Sequence, residues 1–257
     1  MVNHIEVDGR SVAFTETGAG PDLVLVNGFA ATANAESNRL ILVEHRGMGV
    51  SGDDGRPFSI ADLAADVGAV IASQTSGSAA VLGWSMGGYV AQQLAVSNPS
   101  QVGRLVLLST DSGGPESLYV DDAVLAGIAN LDLPPIEQAQ NLLSLLFPPA
   151  VAEVIFSQFG QLVADARGEL REDVLARQLK AIRAWRAGVS AVFAGGLACP
   201  VFVAAGTEDA VIPPVNARLL VGCSQTAWLA EFPGGGHAFM AQFPGQLGDA
   251  INQFLAL

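Results

Sequence analysis

Five short apolar runs dictate most of what this chain can fold into. They are "DLVLVNG" (22–28), "RLILVEHRG" (39–47), "AAVLGW" (79–84), "RLVLLST" (104–110) and "PVFVAAG" (200–206). Each is too short for a buried helix and is apolar at successive positions, as a strand covered on both faces is. Helical patterns lie between them. Ser59-Ile-Ala-Asp62 resembles a capping box, and Ile60, Leu63, Val67 and Ile71 recur behind it at helical spacing. The residues after Ser85 read as a helix to about Asn98, with Pro99 beyond its end. This alternation predicts an α/β fold, a mostly parallel twisted sheet flanked by helices. A hairpin precedes it, because "HIEVDGRSVAFTET" alternates around the turn pair Asp8-Gly9.

Residues 112–198 break the rhythm. They hold no buried-strand run, but carry helical patterns at 136–147, behind Pro134-Pro135, and at 170–187, with Val174, Leu175, Ile182 and Trp185. About 85 residues is too long for one crossover. The segment is therefore expected to be a helical cap inserted over the carboxyl edge of the sheet. The chain then divides into core 1–111, cap 112–198 and core 199–257.

Composition narrows the partners. The 257 residues are half hydrophobic, enough for a sizeable core, and carry a net charge of −13. That charge repels phosphate backbones and anionic lipid, so no nucleic acid and no membrane is expected, only a small-molecule substrate. No apolar run reaches the roughly 18 residues of a membrane span, and "MVNHIEVDGR" lacks a signal-peptide pattern. The expected location is cytoplasmic. Cys199 and Cys223 are not spaced as CxxC and read as buried thiols, with one disulfide as the alternative. Lys180 is the single lysine beside eleven arginines, which with the Ala/Gly richness hints at a GC-rich bacterial genome. Monomer and dimer are both compatible with these features.

The chemistry starts at "VLGWSMGGYV" (81–90). Gly83-Trp-Ser85-Met-Gly87 fits G-x-S-x-G between a strand and a helix, where a serine on a strained turn needs small neighbours and faces a helix amino terminus. A helix cap would explain Ser85 alone, but not the glycines on both sides. A nucleophilic serine needs a base. The histidines are His4 in the hairpin, His45 before a Gly-rich turn, and His237 after "EFPGGG". A Gly-rich loop can carry an imidazole over a serine, which favours His237. The base needs a carboxylate to orient it. Asp209, in "GTEDAVIPP" after a strand, is the first candidate, and its bland alternative is a turn-forming aspartate. Adjacent Glu208 and Asp111, just past the run 104–110, are its rivals. Scattered histidines make a poor ligand set, so no metal and no cofactor is expected.

The segments "LVNGF", "EHRGMGVSG", "GWSMGGYVAQQLA", "GTEDAVIP" and "GGGHAFMAQFPGQL" together make the chain similar to the α/β-hydrolase superfamily, in its capped, serine-nucleophile branch. The resemblance spans nearly everything outside the cap. It implies Ser85 as nucleophile, His237 as base, Asp209 as acid, and an oxyanion hole from the backbone N–H groups of Met86 and Phe29. A serine at position 85 removes the aspartate-nucleophile chemistries of dehalogenases and epoxide hydrolases. Two features depart from the family. Asn27-Gly28 stands where His-Gly is usual, and the connection from Gly28 to Arg46 is short, so that "FAATANAESN" has room for one helical turn or none. Arg46 itself reads as structural, tying loops beneath the site.

Such a triad performs acyl transfer through an acyl-enzyme. Phe29, Trp84 and Met86 are fixed near Ser85 by adjacency, and Phe239, Met240, Leu142, Leu146, Phe147 and Trp185 are further apolar candidates for the pocket wall. An apolar pocket favours a small to medium neutral ester, thioester or lactone. It disfavours a peptidase, which would want a charge such as Arg183 or Arg186. Alternatives are carbon–carbon bond hydrolysis, peracid formation, and a ligand-binding or signalling protein with little turnover.

Overall fold

The computed structural model describes residues 2–26 and 38–257. Phe29, the pair Asn27-Gly28 and all of the short connection except Asn38 therefore lie outside the described residues. The leading hairpin pairs β1 (Val2–Val7) with β2 (Arg10–Thr17). Its turn residues Asp8 and Gly9 have φ of 50° and 75°, the double left-handed turn that matches strand twist. Then come β3 (Asp22–Val26), β4 (Arg39–Val43), β5 (Ala79–Trp84), β6 (Val102–Leu108), β7 (Val201–Gly206) and β8 (Ala227–Phe232). The sheet order is β1-β2-β4-β3-β5-β6-β7-β8. β1 and β2 run antiparallel to their neighbours, and β3 through β8 are mutually parallel.

Successive apolar residues serve opposite faces. Val24, Val81, Leu105, Leu107, Val201 and Val203 point into the layer holding α1 (Ile60–Gln74) and α2 (Met86–Ser97). Leu23, Leu82, Val106, Leu108 and Phe202 point into the layer holding α9 (Pro244–Leu255). A period of two on a sheet covered on both sides explains why the runs are apolar throughout. The predicted capping box is present at α1, with Ser59 and Asp62 bonding reciprocally. α2 ends at Ser97, with Pro99 past its cap.

Between β6 and β7 lie α3 (Asp122–Ala129), α4 (Pro135–Leu146), α5 (Pro149–Gly168), α6 (Glu172–Ala187) and the short α7 (Ala191–Gly195). The helical patterns at 136–147 and 170–187 correspond to α4 and α6. The last of these helices are stitched to the sheet layers. Val192 of α7 joins the α1/α2 layer, and Trp185 of α6 stacks on Tyr89 of α2 with ring centroids 5.6 Å apart. α8 (Val215–Val221) completes the helices.

Beneath the carboxyl edge, buried Asp66 of α1 receives Arg46 Nε at 2.5 Å and Arg10 Nη2 at 3.3 Å. Arg46 also donates to the Asp62 carbonyl. This arginine thus ties the loop after β4 to α1. Cys199 and Cys223 are free thiols. Among the described residues no helix is long and apolar enough to cross a membrane.

Candidate active site

Ser85 occupies the turn between β5 and α2 with φ 54° and ψ −123°. A side chain there stores strain, and two hydrogen bonds hold the turn in place. Ser85 N–H donates to the Leu108 carbonyl at 3.0 Å, and the Thr110 hydroxyl donates to the Ser85 carbonyl at 2.9 Å. The flanking glycines are steric necessities. A Cβ on Gly83 would overlap the Gly87 carbonyl and come within 2.7 Å of Gly88 Cα. One on Gly88 would come within 2.6 Å of Thr110 Cβ. Met86 is the first residue of α2, so its N–H has no acceptor inside the helix and stays available beside Ser85.

β5, β7 and β8 all end at the same edge, with β6 between β5 and β7. The turn after β7 carries Asp209 and the loop after β8 carries His237. His237 Nε2 lies 3.0 Å from Ser85 Oγ, and Nδ1 lies 2.9 Å from Asp209 Oδ2. The histidine and aspartate side chains are almost completely buried. Asp209 combines the two roles that were weighed against each other. Its Oδ1 accepts N–H bonds from Val211 at 2.9 Å and Ile212 at 2.8 Å, shaping the turn, while both oxygens face the imidazole, Oδ2 at 2.9 Å and Oδ1 at 3.0 Å from Nδ1.

Trp84 orients the histidine from the other side. Its Nε1 donates to the His237 carbonyl at 3.0 Å, and the two rings lie 5.3 Å apart. The glycine loop that precedes His237 packs directly on β7. A Cβ on Gly206 would come within 2.5 Å of the Gly236 carbonyl.

The rivals sit elsewhere. Asp111 is fully buried beneath the insertion. It accepts the Tyr89 hydroxyl at 2.6 Å and the Gly113 N–H at 2.8 Å, and contacts no histidine. Burial pushes its carboxyl above the usual range. His45 is enclosed with its Nε2 unpartnered, and burial pushes its imidazole down to about 4. His4 bonds Ser11 in the hairpin. Among the described residues no group of His, Cys, Asp and Glu is arranged to hold a metal ion.

A cavity of about 400 Å³ opens over Ser85 and His237. Trp84, Met86, Leu142 and Leu146 line it, as the sequence suggested. A second apolar cavity of about 350 Å³ adjoins it, sharing Trp84, Leu142, Leu146 and Val163 and adding Phe147 and Met240. Two expected wall residues are corrected. Phe239 is fully buried under the histidine loop, with its ring 4.8 Å from that of Phe232, and it props the loop from the core. Trp185 is consumed by its stack on Tyr89 and by Gly113, whose missing Cβ makes room for the indole. Neither lines the cavity.

Arg183 pairs with Asp122 on the surface, and Arg186 lies over the Tyr119 ring. The arginine that does line the cavity is Arg167 of α5, which the sequence reading missed. Its signal was legible. Gly160, Val163, Ala164 and Arg167 repeat at helical spacing, which places the arginine on the inward face of α5.

The chain matches the model of the alpha/beta hydrolase family over residues 23–250. It is 29% identical to a pimeloyl-(acyl-carrier protein) methyl ester esterase of Chromobacterium violaceum, over 88% of this chain and 91% of the relative. It is similar to the crystal structure of a hydrolase from Pseudomonas aeruginosa, with a TM-score of 0.80 and 25% identity over 100% of this chain and 98% of the other. It shares the fold of an enol-lactonase from Burkholderia xenovorans, with a TM-score of 0.83 and 21% identity over 99% of this chain and 100% of the other. A serine on a strained strand-to-helix turn, an aspartate and a histidine on later strand ends, and a family match over most of the sequence lead to one conclusion: the chain belongs to the alpha/beta hydrolase family.

Proposed function

We propose that the protein is a serine hydrolase of small to medium, largely apolar carboxylic esters, thioesters or lactones, working through an acyl-enzyme. The observation that carries this reading is the continuous hydrogen-bonded line from Ser85 Oγ through His237 to Asp209 at the floor of an apolar cavity. His237 Nε2 takes the hydroxyl proton as Ser85 attacks the ester carbonyl. Asp209 holds the Nδ1–H tautomer and stabilises the imidazolium that forms. The oxyanion is held by the Met86 N–H at the start of α2, where the helix dipole also favours negative charge. His237 then returns its proton to the leaving alcohol, and a water molecule repeats the sequence to release the acid.

The helices between β6 and β7 act as a cap, since α4, α5 and α6 furnish Leu142, Val163 and Ile182 to the cavity wall. Exclusion of water by these apolar walls strengthens each electrostatic contact inside. The ester class is also the one named for the relative from Chromobacterium violaceum. The test is labelling by a fluorophosphonate together with hydrolysis of p-nitrophenyl butyrate. Wild-type protein is expected to show both and Ser85→Ala neither. Labelling or turnover that persists in Ser85→Ala refutes the assignment.

A further inference from the structure

The cavity over Ser85 holds a cation that nothing in the acyl-transfer machinery uses. Arg167, on the inner stripe of α5, is only 7% exposed and borders this cavity together with Gln178. Among the described residues the remaining wall side chains, Ser85 and His237 apart, are apolar, and no acid is among them. Its hydrogen-bond partners are all neutral. Nε donates to Gln138 Oε1 at 3.1 Å, Nη1 to the Ile128 carbonyl at 2.9 Å, and Nη2 to the Asn130 carbonyl at 2.7 Å. Each terminal nitrogen therefore keeps one further N–H without an acceptor among the described residues.

Burial alone lowers the guanidinium's pKa, with no acid to offset it. Arg56 and Arg104 also lack an ion pair among the described residues, but neither borders the cavity. Arg10, Arg39, Arg46, Arg177 and Arg183 each pair with a carboxylate. A buried charge with no counter-charge is costly, and it remains charged because guanidinium does not lose its proton in proteins.

Part of this arrangement is structural, since the Ile128 and Asn130 carbonyls belong to the end of α3. That role accounts for three N–H groups, but not for a cation facing a reaction cavity in a chain of net charge −13. An anionic ligand supplies the missing partner.

We propose that Arg167 selects ester substrates carrying a second, ionised carboxylate, the ester lying at Ser85 and the carboxylate at Arg167. This inference rests on the hydrolase reading above. The substrate class is the monoester of a dicarboxylic acid, with a methylene chain crossing the apolar wall between the two polar ends. Water cleaves the ester's acyl C–O bond, so the products are the free dicarboxylate and the alcohol. A cavity of about 400 Å³ lies within the usual range for such a small molecule.

The experiment compares p-nitrophenyl monoesters of dicarboxylates from glutarate to suberate with equal-length esters whose far carboxylate is replaced by a carboxamide. Wild type is expected to prefer the anion by about 10- to 100-fold in kcat/KM, expressed mainly in KM, as a charge-assisted contact made equally in ground and transition states requires. Arg167→Met is expected to bring the anion-to-amide ratio close to one, with Arg167→Lys intermediate. Arg183→Ala, which alters an exposed cap arginine, is expected to keep the wild-type ratio.

Equal or better turnover of the carboxamide by wild type overturns the proposal without any variant, as does an undiminished preference in Arg167→Met. Binding of free dicarboxylates to Ser85→Ala separates the two readings. Binding that Arg167→Met abolishes supports the anion site even where no ester is cleaved, a result that refutes only the hydrolase reading. No binding in the millimolar range, with the neutral esters turned over, refutes the anion site alone.

Discussion

Asp209→Asn tests the triad through a single atom. In the native site Oδ1 accepts the Val211 and Ile212 N–H groups and also lies 3.0 Å from His237 Nδ1, and Oδ2, free of backbone donors, lies 2.9 Å from the same nitrogen. An asparagine must keep its carbonyl oxygen where the two backbone donors are, because an amide NH2 there would oppose both. Its NH2 is then fixed at the Oδ2 position and donates toward Nδ1. With two backbone donors already on the retained oxygen, the NH2 is the nearer and freer partner, so the imidazole answers with a bare Nδ1 and its proton moves to Nε2, pointing at Ser85 Oγ, 3.0 Å away. The base has become a donor and cannot accept the serine proton. Loss of the correct tautomer is worth about 10,000-fold in rate, or about 5.5 kcal/mol of barrier.

The backbone bonds of the turn survive this change, so thermal stability should move little. The assay is kcat/KM on p-nitrophenyl butyrate beside a melting curve. Asp111→Asn serves as the comparison, because Asp111 answers Tyr89 and Gly113 and touches no histidine. Activity of Asp209→Asn within tenfold of wild type, or collapse in Asp111→Asn with Asp209→Asn spared, would refute the reasoning.

Two further predictions concern the frame beneath the site. Asp66→Asn removes the one charge facing both Arg10 and Arg46 in a buried setting, and is expected to cost about 3 kcal/mol, read as a fall of roughly 10 °C in Tm; an unchanged Tm would show that the pair is not coupled to folding. His45 is held neutral down to about 4 by burial, against 6.5 unperturbed, so its contribution is complete above pH 6.5 and is lost as pH falls toward 4. Over that window the unfolded chain takes up the proton first. The loss is about 3 kcal/mol, and urea midpoints measured from pH 7 to pH 4 should fall more steeply for wild type than for His45→Gln.

The sequence alone was enough for the sheet and for singling out Ser85 and His237, which the structure places 3.0 Å apart. Runs such as "RLVLL" are apolar at every position because both faces of β6 are covered, which makes them readable without coordinates. Ser85 was legible because a strained turn between strand and helix admits only small neighbours, and the glycines record that local demand. His237 was favoured by its Gly-rich loop. Asp209 was the first candidate, with Asp111 and Glu208 as rivals, because an aspartate after a strand can equally well close a turn. Only the packing of side chains shows which of them meets His237: Asp209 lies 2.9 Å from its Nδ1, while Asp111 is bonded to Tyr89 and Gly113.

The walls of the cavity were decided by tertiary structure in the same sense. Phe239 and Trp185 carry the same apolar signal as Trp84 and Leu142, and a residue's hydrophobicity does not say which neighbour buries it. The core took Phe239, and α2 took Trp185. Arg167 marks the boundary between the two kinds of knowledge. The stripe of α5 places it on the inward face, but only the packing of α3, α4 and α5 around it decided that it is buried and that its partners are neutral oxygens rather than a carboxylate. Local sequence fixes which groups must leave water; long-range packing fixes what each of them meets there.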